Sequence, residues 1–371
     1  MPLMESAPGA ETVIDGQRYL YFAGTGYFGL QGHPEVIRAA TDAMQRYGIS
    51  SATSRAGFGN NLPTLDVERR AAEYFGAQAA FYYVSGYVGN GILAQGLRAD
   101  FDVAFVDELA HYSVMEGLGL SGRPMVSFRH CDPADLAAKL AANLQPQQRP
   151  MLMTDGVFPS LGHIAPIPEY IEVLAHYPDA LICLDDAHAG GVLGLAGRGT
   201  YDHFGLDGQP AGQPVSLYFS GTLSKAFGGQ GGLITGSSEL IDRLKKASHY
   251  YNGASQPAVP VAAASAKALE IVAAHPELRQ RLWDNVRRLK TGLRQLGLAA
   301  DDTPVPIISL STGSGAEMQQ LQQELMRRGI VIAYAREYAG LGPEGGLRVA
   351  VFSTHSDEMI DRLLAELARC L

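Results

Sequence analysis

In GTLSKAFGGQGG (221–232) a lysine follows small residues and precedes a glycine run. Val215 to Phe219 reads as an apolar strand, so Lys225 falls just past a strand end. The other lysines (139, 245, 246, 267 and 290) lie in segments that read as polar helix faces. A lysine withdrawn from water loses proton affinity and becomes a usable amine. Such amines form Schiff bases with carbonyl compounds. Gly228, Gly229, Gly231 and Gly232 would let backbone approach a bound group closely. The ordinary alternative is a surface lysine beside a flexible glycine hinge.

Three further stretches carry chemistry. CLDDAHAGGVLGLAGRG (183–199) ends an apolar strand in Asp185 and Asp186, with His188 following. A carboxylate there can keep a ring nitrogen protonated, so that a conjugated ring accepts electrons; a helix cap is the plainer reading. YYVSGYVGNGILAQGL (82–97) turns from a strand through Ser85, Gly86 and Tyr87 into an apolar helix. Backbone N–H groups at such a start suit a phosphate. In DELAHYSVMEG (107–117), His111 could stack on a planar ring or be a loop residue.

The elements that must position these residues follow from periodicity. The apolar runs 80–84, 103–106, 124–128, 151–154, 180–184 and 216–219 read as strands. Helices are expected over 34–47, 64–75 and 168–176, and after the Asp132-Pro133 start. Apolar strands alternating with helices imply a largely parallel sheet covered on both faces, with ligands beyond the carboxyl ends of the strands. From about Pro260 the pattern becomes a long helix interrupted near His275-Pro276. Strands over 305–311, 330–335 and 347–352 follow, with helices over 315–328 and 356–369. The expected division is an N-terminal segment (1–50) that joins the smaller domain, a large domain (51–258) and a smaller C-terminal α/β domain (259–371).

Bulk properties exclude some roles. The formal net charge of -9 argues against a nucleic-acid footprint. Cys131, Cys183 and Cys370 have no metal-ligand spacing, no metal is expected, and an odd count fits a reducing compartment. The start MPLMESAPGAE has no apolar signal-peptide core, and 258–274 is too interrupted to span a bilayer. A cytoplasmic location is expected.

Taken together, the four stretches supply an amine, a carboxylate for a ring nitrogen, an aromatic stacker and a phosphate cradle on one sheet edge. Pyridoxal 5'-phosphate (PLP) needs these four. The motifs YFGLQGHPEV, VSGYVGN, DELAHYSVMEG, TDGVF, DDAHAGGVLGLAGRG and GTLSKAFGG, from about Tyr19 to the C-terminus, resemble the α-oxoamine synthases of the fold-type I PLP enzymes. That resemblance implies a mostly parallel seven-stranded sheet between helices plus a smaller C-terminal domain, in a homodimer with interfacial active sites. It makes Lys225 the Schiff-base lysine and Asp185 the partner of the ring nitrogen. It places His188 near the phenolic oxygen, His111 on the ring, and Thr222 with Ser85, Gly86 and Tyr87 at the phosphate. It makes Arg348 the grip on a substrate carboxylate. Thr25 stands where the family has a carboxylate-binding asparagine. Pro159 replaces a serine near the phenolic oxygen, a role Ser160 could take over.

The leading functional reading is condensation of an amino acid with an acyl thioester to an α-amino ketone. An aminotransferase would share its first steps, and a non-catalytic partner subunit is a third reading, opposed by the intact Lys225 and Asp185.

Overall fold

The computed structural model describes residues 2–207, 214–337 and 340–371. β1 (Glu11–Ile14) and β2 (Gln17–Tyr21) form a hairpin closed by Asp15 and Gly16, both with positive φ. Seven strands build the central sheet: β3 (Ala79–Tyr83), β4 (Val103–Asp107), β5 (Met125–Phe128), β6 (Pro150–Asp155), β7 (Leu181–Asp185), β8 (Ser216–Thr222) and β9 (Gly232–Gly236). Their spatial order is β3-β9-β8-β7-β6-β4-β5, and only β9 opposes its neighbours.

Every residue of β4, β6 and β7 is buried, as continuous apolar strands require when both faces are covered. Helices Gly89–Gly96, Tyr112–Gly119 and Ser238–Ala247 cover one face through Ile92, Leu93, Val114 and Leu244. Helices Pro133–Asn143 and Ile167–Leu174 cover the other through Leu136, Leu140, Tyr170 and Leu174. The Asp132-Pro133 start forms as expected, with the Asp132 side chain accepting from Asp135 N at 2.9 Å.

Beyond helices Val259–Ala274 and Glu277–Gln295 lie β10 (Ile307–Leu310), β11 (Ile330–Val331), β12 (Ala333–Ala335) and β13 (Gly346–Ala350). The run 330–335, expected as one strand, serves two sheets. β11 pairs parallel with β2, and β12 pairs antiparallel with β13, which also pairs with β10. Buried Ile332 marks the crossing. No helix among the described residues is long and apolar enough to cross a membrane.

Candidate active site

β4, β6 and β7 each end in a buried aspartate: Asp107, Asp155 and Asp185. Asp107 accepts from Leu109 N and Cys131 N and lies 3.0 Å from His130 Nδ1, so it holds loops at the sheet edge. Asp155 pairs in register with Asp185. Burial, reinforced by the Asp185 charge, drives the Asp155 carboxyl well above the usual range. Its Oδ2 accepts the His111 backbone N–H at 2.7 Å, which fixes the residue that caps helix Tyr112–Gly119. Asp185 Oδ2 accepts from Asn90 Nδ2 (2.7 Å) and Ser113 Oγ (3.1 Å), and Oδ1 accepts from Ala187 N (3.2 Å).

Lys225 lies three residues beyond β8, in a turn closed by Gly228 N donating to Lys225 O at 3.1 Å. Gly228 has φ +67°, and a Cβ there would meet Leu30, so this turn requires glycine. Desolvation pushes the Lys225 amine down to about 8, with Arg348 adding to the effect and Asp185 and Asp155 opposing it. His188 is buried, its Nδ1 2.8 Å from the Tyr27 hydroxyl. Burial, with Lys225 and Arg348 nearby, holds His188 well below the ordinary histidine range and hence neutral. Burial also pushes Tyr27 up to about 12, against the pull of Arg348.

Thr25, His111, Ser160, His188, Lys225 and Arg348 line one cavity of about 300 Å³, together with Pro159 and the small residues Ala333, Ala335 and Gly346. Arg348 projects from β13; its Nε donates to Pro159 O (2.9 Å) and its Nη1 to Gly24 O (3.0 Å). The proposed phosphate residues meet beside the cavity, not in its lining. The Ser85 side chain accepts from Tyr87 N at 3.3 Å. A Cβ on Gly86 would lie 2.7 Å from Thr222 Cβ, so the β3 and β8 ends approach as closely as only glycine allows. Thr222 Oγ1 donates to Ser224 Oγ (3.1 Å) or Gly231 O (3.0 Å).

The aminotransferase class I and II family model matches residues 24–367. A Methylococcus capsulatus 8-amino-7-oxononanoate synthase is 36% identical over 368 residues, 99% of this chain and 92% of that protein. A Bacillus subtilis 8-amino-7-oxononanoate synthase 1 is 31% identical, covering 97% and 90%. Serine palmitoyltransferase from S. paucimobilis, solved with a bound PLP–myriocin aldimine, superposes with a TM-score of 0.92 at 25% identity, covering 100% and 92%. The chain belongs to the aminotransferase class I and II family, in its α-oxoamine synthase branch. Its cofactor is PLP, and it is an enzyme.

The residues present fit that cofactor. An amine of lowered proton affinity, a buried carboxylate, a histidine at a helix head and a cradle that a Cβ would fill converge on one sheet edge. The residues that would touch the cofactor stand out in the sequence; those behind them do not. Tyr27, Asn90, Ser113 and Asp155 all lie inside the quoted motifs. Asn90 and Ser113 follow Gly86 and His111 by four and two residues on helices that read as apolar. Only the packing of those two helices over the end of β7 gives their polar atoms a common target.

Proposed function

We propose that this site joins the α carbon of an amino acid to the acyl carbon of a thioester, breaking the C–S bond so that the thiol leaves and losing the amino acid's carboxylate as CO2, to release an α-amino ketone. The relatives' name describes such a product. In 8-amino-7-oxononanoate, C8 bears the amine and C9 is the terminal methyl, a unit that alanine supplies after losing its carboxylate. C1 to C7 are a seven-carbon dicarboxylic acyl group. We take alanine and that acyl thioester as the substrates. The observation that carries the reading is the half-buried Lys225 amine, brought down to about 8, in a small cavity with His188 and Arg348.

PLP, when bound, supplies the electron sink that lets a bond to the α carbon break. Asp185 Oδ1 would hold the proton of the ring nitrogen. Lys225 Nζ, about half neutral at pH 8, would take or return the α proton. Neutral His188 on the cavity wall, held from behind by the buried Tyr27 hydroxyl, can orient an oxygen. Arg348, held by two backbone carbonyls, presents its charge to a carboxylate. Ala333, Ala335 and Gly346 leave room for a methyl side chain beside it.

A second copy of the chain would complete the site. Ile49, Phe58 and Leu62 are 61%, 95% and 64% exposed, and Tyr87 and Tyr112 are exposed beside His111. Exposed apolar groups of this kind suit an interface. Three unpaired thiols fit the cytoplasm. The same proposal takes 51–258 as the large domain and 259–371 as the smaller one, joined by the segment 1–50.

The test is to supply the PLP-loaded protein with L-alanine, with and without the heptanedioyl thioester, and to follow products by mass spectrometry. Amino ketone formed only with the thioester supports the proposal. Pyruvate released without the thioester would instead make the protein an aminotransferase.

A further inference from the structure

Behind the cofactor residues lies a closed polar network. Ser220 Oγ donates to Asn90 Oδ1 at 2.8 Å, which fixes the amide's orientation and turns Nδ2 toward Asp185 Oδ2 (2.7 Å) and Ser113 Oγ (3.1 Å). Ser113 Oγ lies 3.1 Å from Asp185 Oδ2 and 2.7 Å from His111 Nδ1. The Ser113 backbone N–H also points at His111 Nδ1, at 3.2 Å, so that nitrogen acts as an acceptor. Asn90, Ser113 and Ser220 are all buried. The Ser113 hydroxyl therefore has one hydrogen and two acceptors, Asp185 and His111. A charged Asp185 draws that hydrogen, and a protonated Asp185 releases it to His111.

We propose that Ser113, oriented by Asn90, is a positioning residue that couples the carboxylate facing the ring nitrogen to the histidine facing the ring. This rests on the PLP reading of the site. The Asn90 and Ser113 donors both occupy Oδ2, while Oδ1 accepts the longer bond from Ala187 N at 3.2 Å. The other titratable groups around Asp185 are Asp155 from β6, Tyr83 from β3, Lys225 beyond β8, His111 and the adjacent Asp186. None of these has a hydrogen to share between Asp185 and His111 as Ser113 does.

The test uses Ser113→Ala and Ser113→Thr, each loaded with PLP, and reads the pH midpoint of the visible band of the lysine-linked cofactor. Loss of the Ser113 hydrogen bond leaves more negative charge on the Asp185 oxygens, which draw the ring proton toward themselves. Less positive charge on the ring makes the lysine–cofactor link easier to protonate. The midpoint should rise by about half to one pH unit in Ser113→Ala and return to the wild-type value in Ser113→Thr. Asn90→Ser carries the same expected rise should Ser113→Ala fail to accumulate. A midpoint that does not rise, or a threonine variant that behaves like alanine, overturns the proposal whatever happens to turnover or thermal stability. Failure of the wild-type protein to form the visible band at all would strike the cofactor reading instead.

Discussion

The lowered proton affinity of Lys225 makes a prediction about how fast the cofactor-free protein captures PLP. Only a neutral amine attacks an aldehyde. With the ordinary lysine value of 10.5, about one amine in 3,000 is neutral at pH 7. With the amine brought down to about 8, about one in eleven is neutral. The gain is roughly 300-fold at pH 7. The second-order rate of visible-band formation should therefore rise about tenfold per pH unit below 8 and level off above it. Dividing each rate by that of Nα-acetyl-lysine at the same pH removes the ionisations of PLP itself. The ratio should fall toward one as pH passes 10. Asp185 opposes the lowering, so Asp185→Asn should move the plateau to lower pH. A rate that climbs tenfold per unit through pH 9 and 10 would refute the reasoning, because it would show an amine in water-like surroundings.

Two other perturbations follow from the geometry. Gly86→Ala places a Cβ 2.7 Å from Thr222 Cβ and 2.9 Å from its Oγ1, so the two strand ends must part; the protein should still fold but bind PLP at least about tenfold more weakly in equilibrium dialysis, a loss of about 1.4 kcal/mol. Asp186, whose Oδ1 and Oδ2 accept from the Thr200 hydroxyl and N–H at 2.5 and 2.8 Å, is pushed by burial from 3.8 up to about 7. A raised carboxyl binds its proton more tightly when folded, so its contribution is complete below pH 4 and is lost as pH rises through 7, by up to roughly 4 kcal/mol. Asp186→Asn, which can accept from the Thr200 N–H and donate to its hydroxyl, should flatten denaturant-unfolding stability between pH 4 and 7; an unchanged slope would assign that pH dependence to other groups.

What could be read without a structure was set by how locally each feature is specified. The buried strands and Lys225 were legible because a continuous apolar run ending in polar residues is a short-range pattern. The β1–β2 hairpin shows in the sequence only through the Asp15-Gly16 turn signal, because Gln17–Tyr21 begins with two exposed residues and carries no continuous apolar run. β9 was missed because Gly232 and Gly236 bound it and its pairing depends on the distant β3 and β8. The division of 330–335 depends on which sheet each half meets, which no local pattern encodes. The site divides in the same way. Lys225, Asp185 and His111 stand out by type and place. Asn90, Ser113 and Ser220 come from three segments and gain their role only when helices Gly89–Gly96 and Tyr112–Gly119 close over the end of β7 beside β8. Residues that touch a cofactor are selected for chemistry, which residue type reveals. Residues that tune those contacts are selected for the position of one hydrogen atom, and that position exists only in the folded chain.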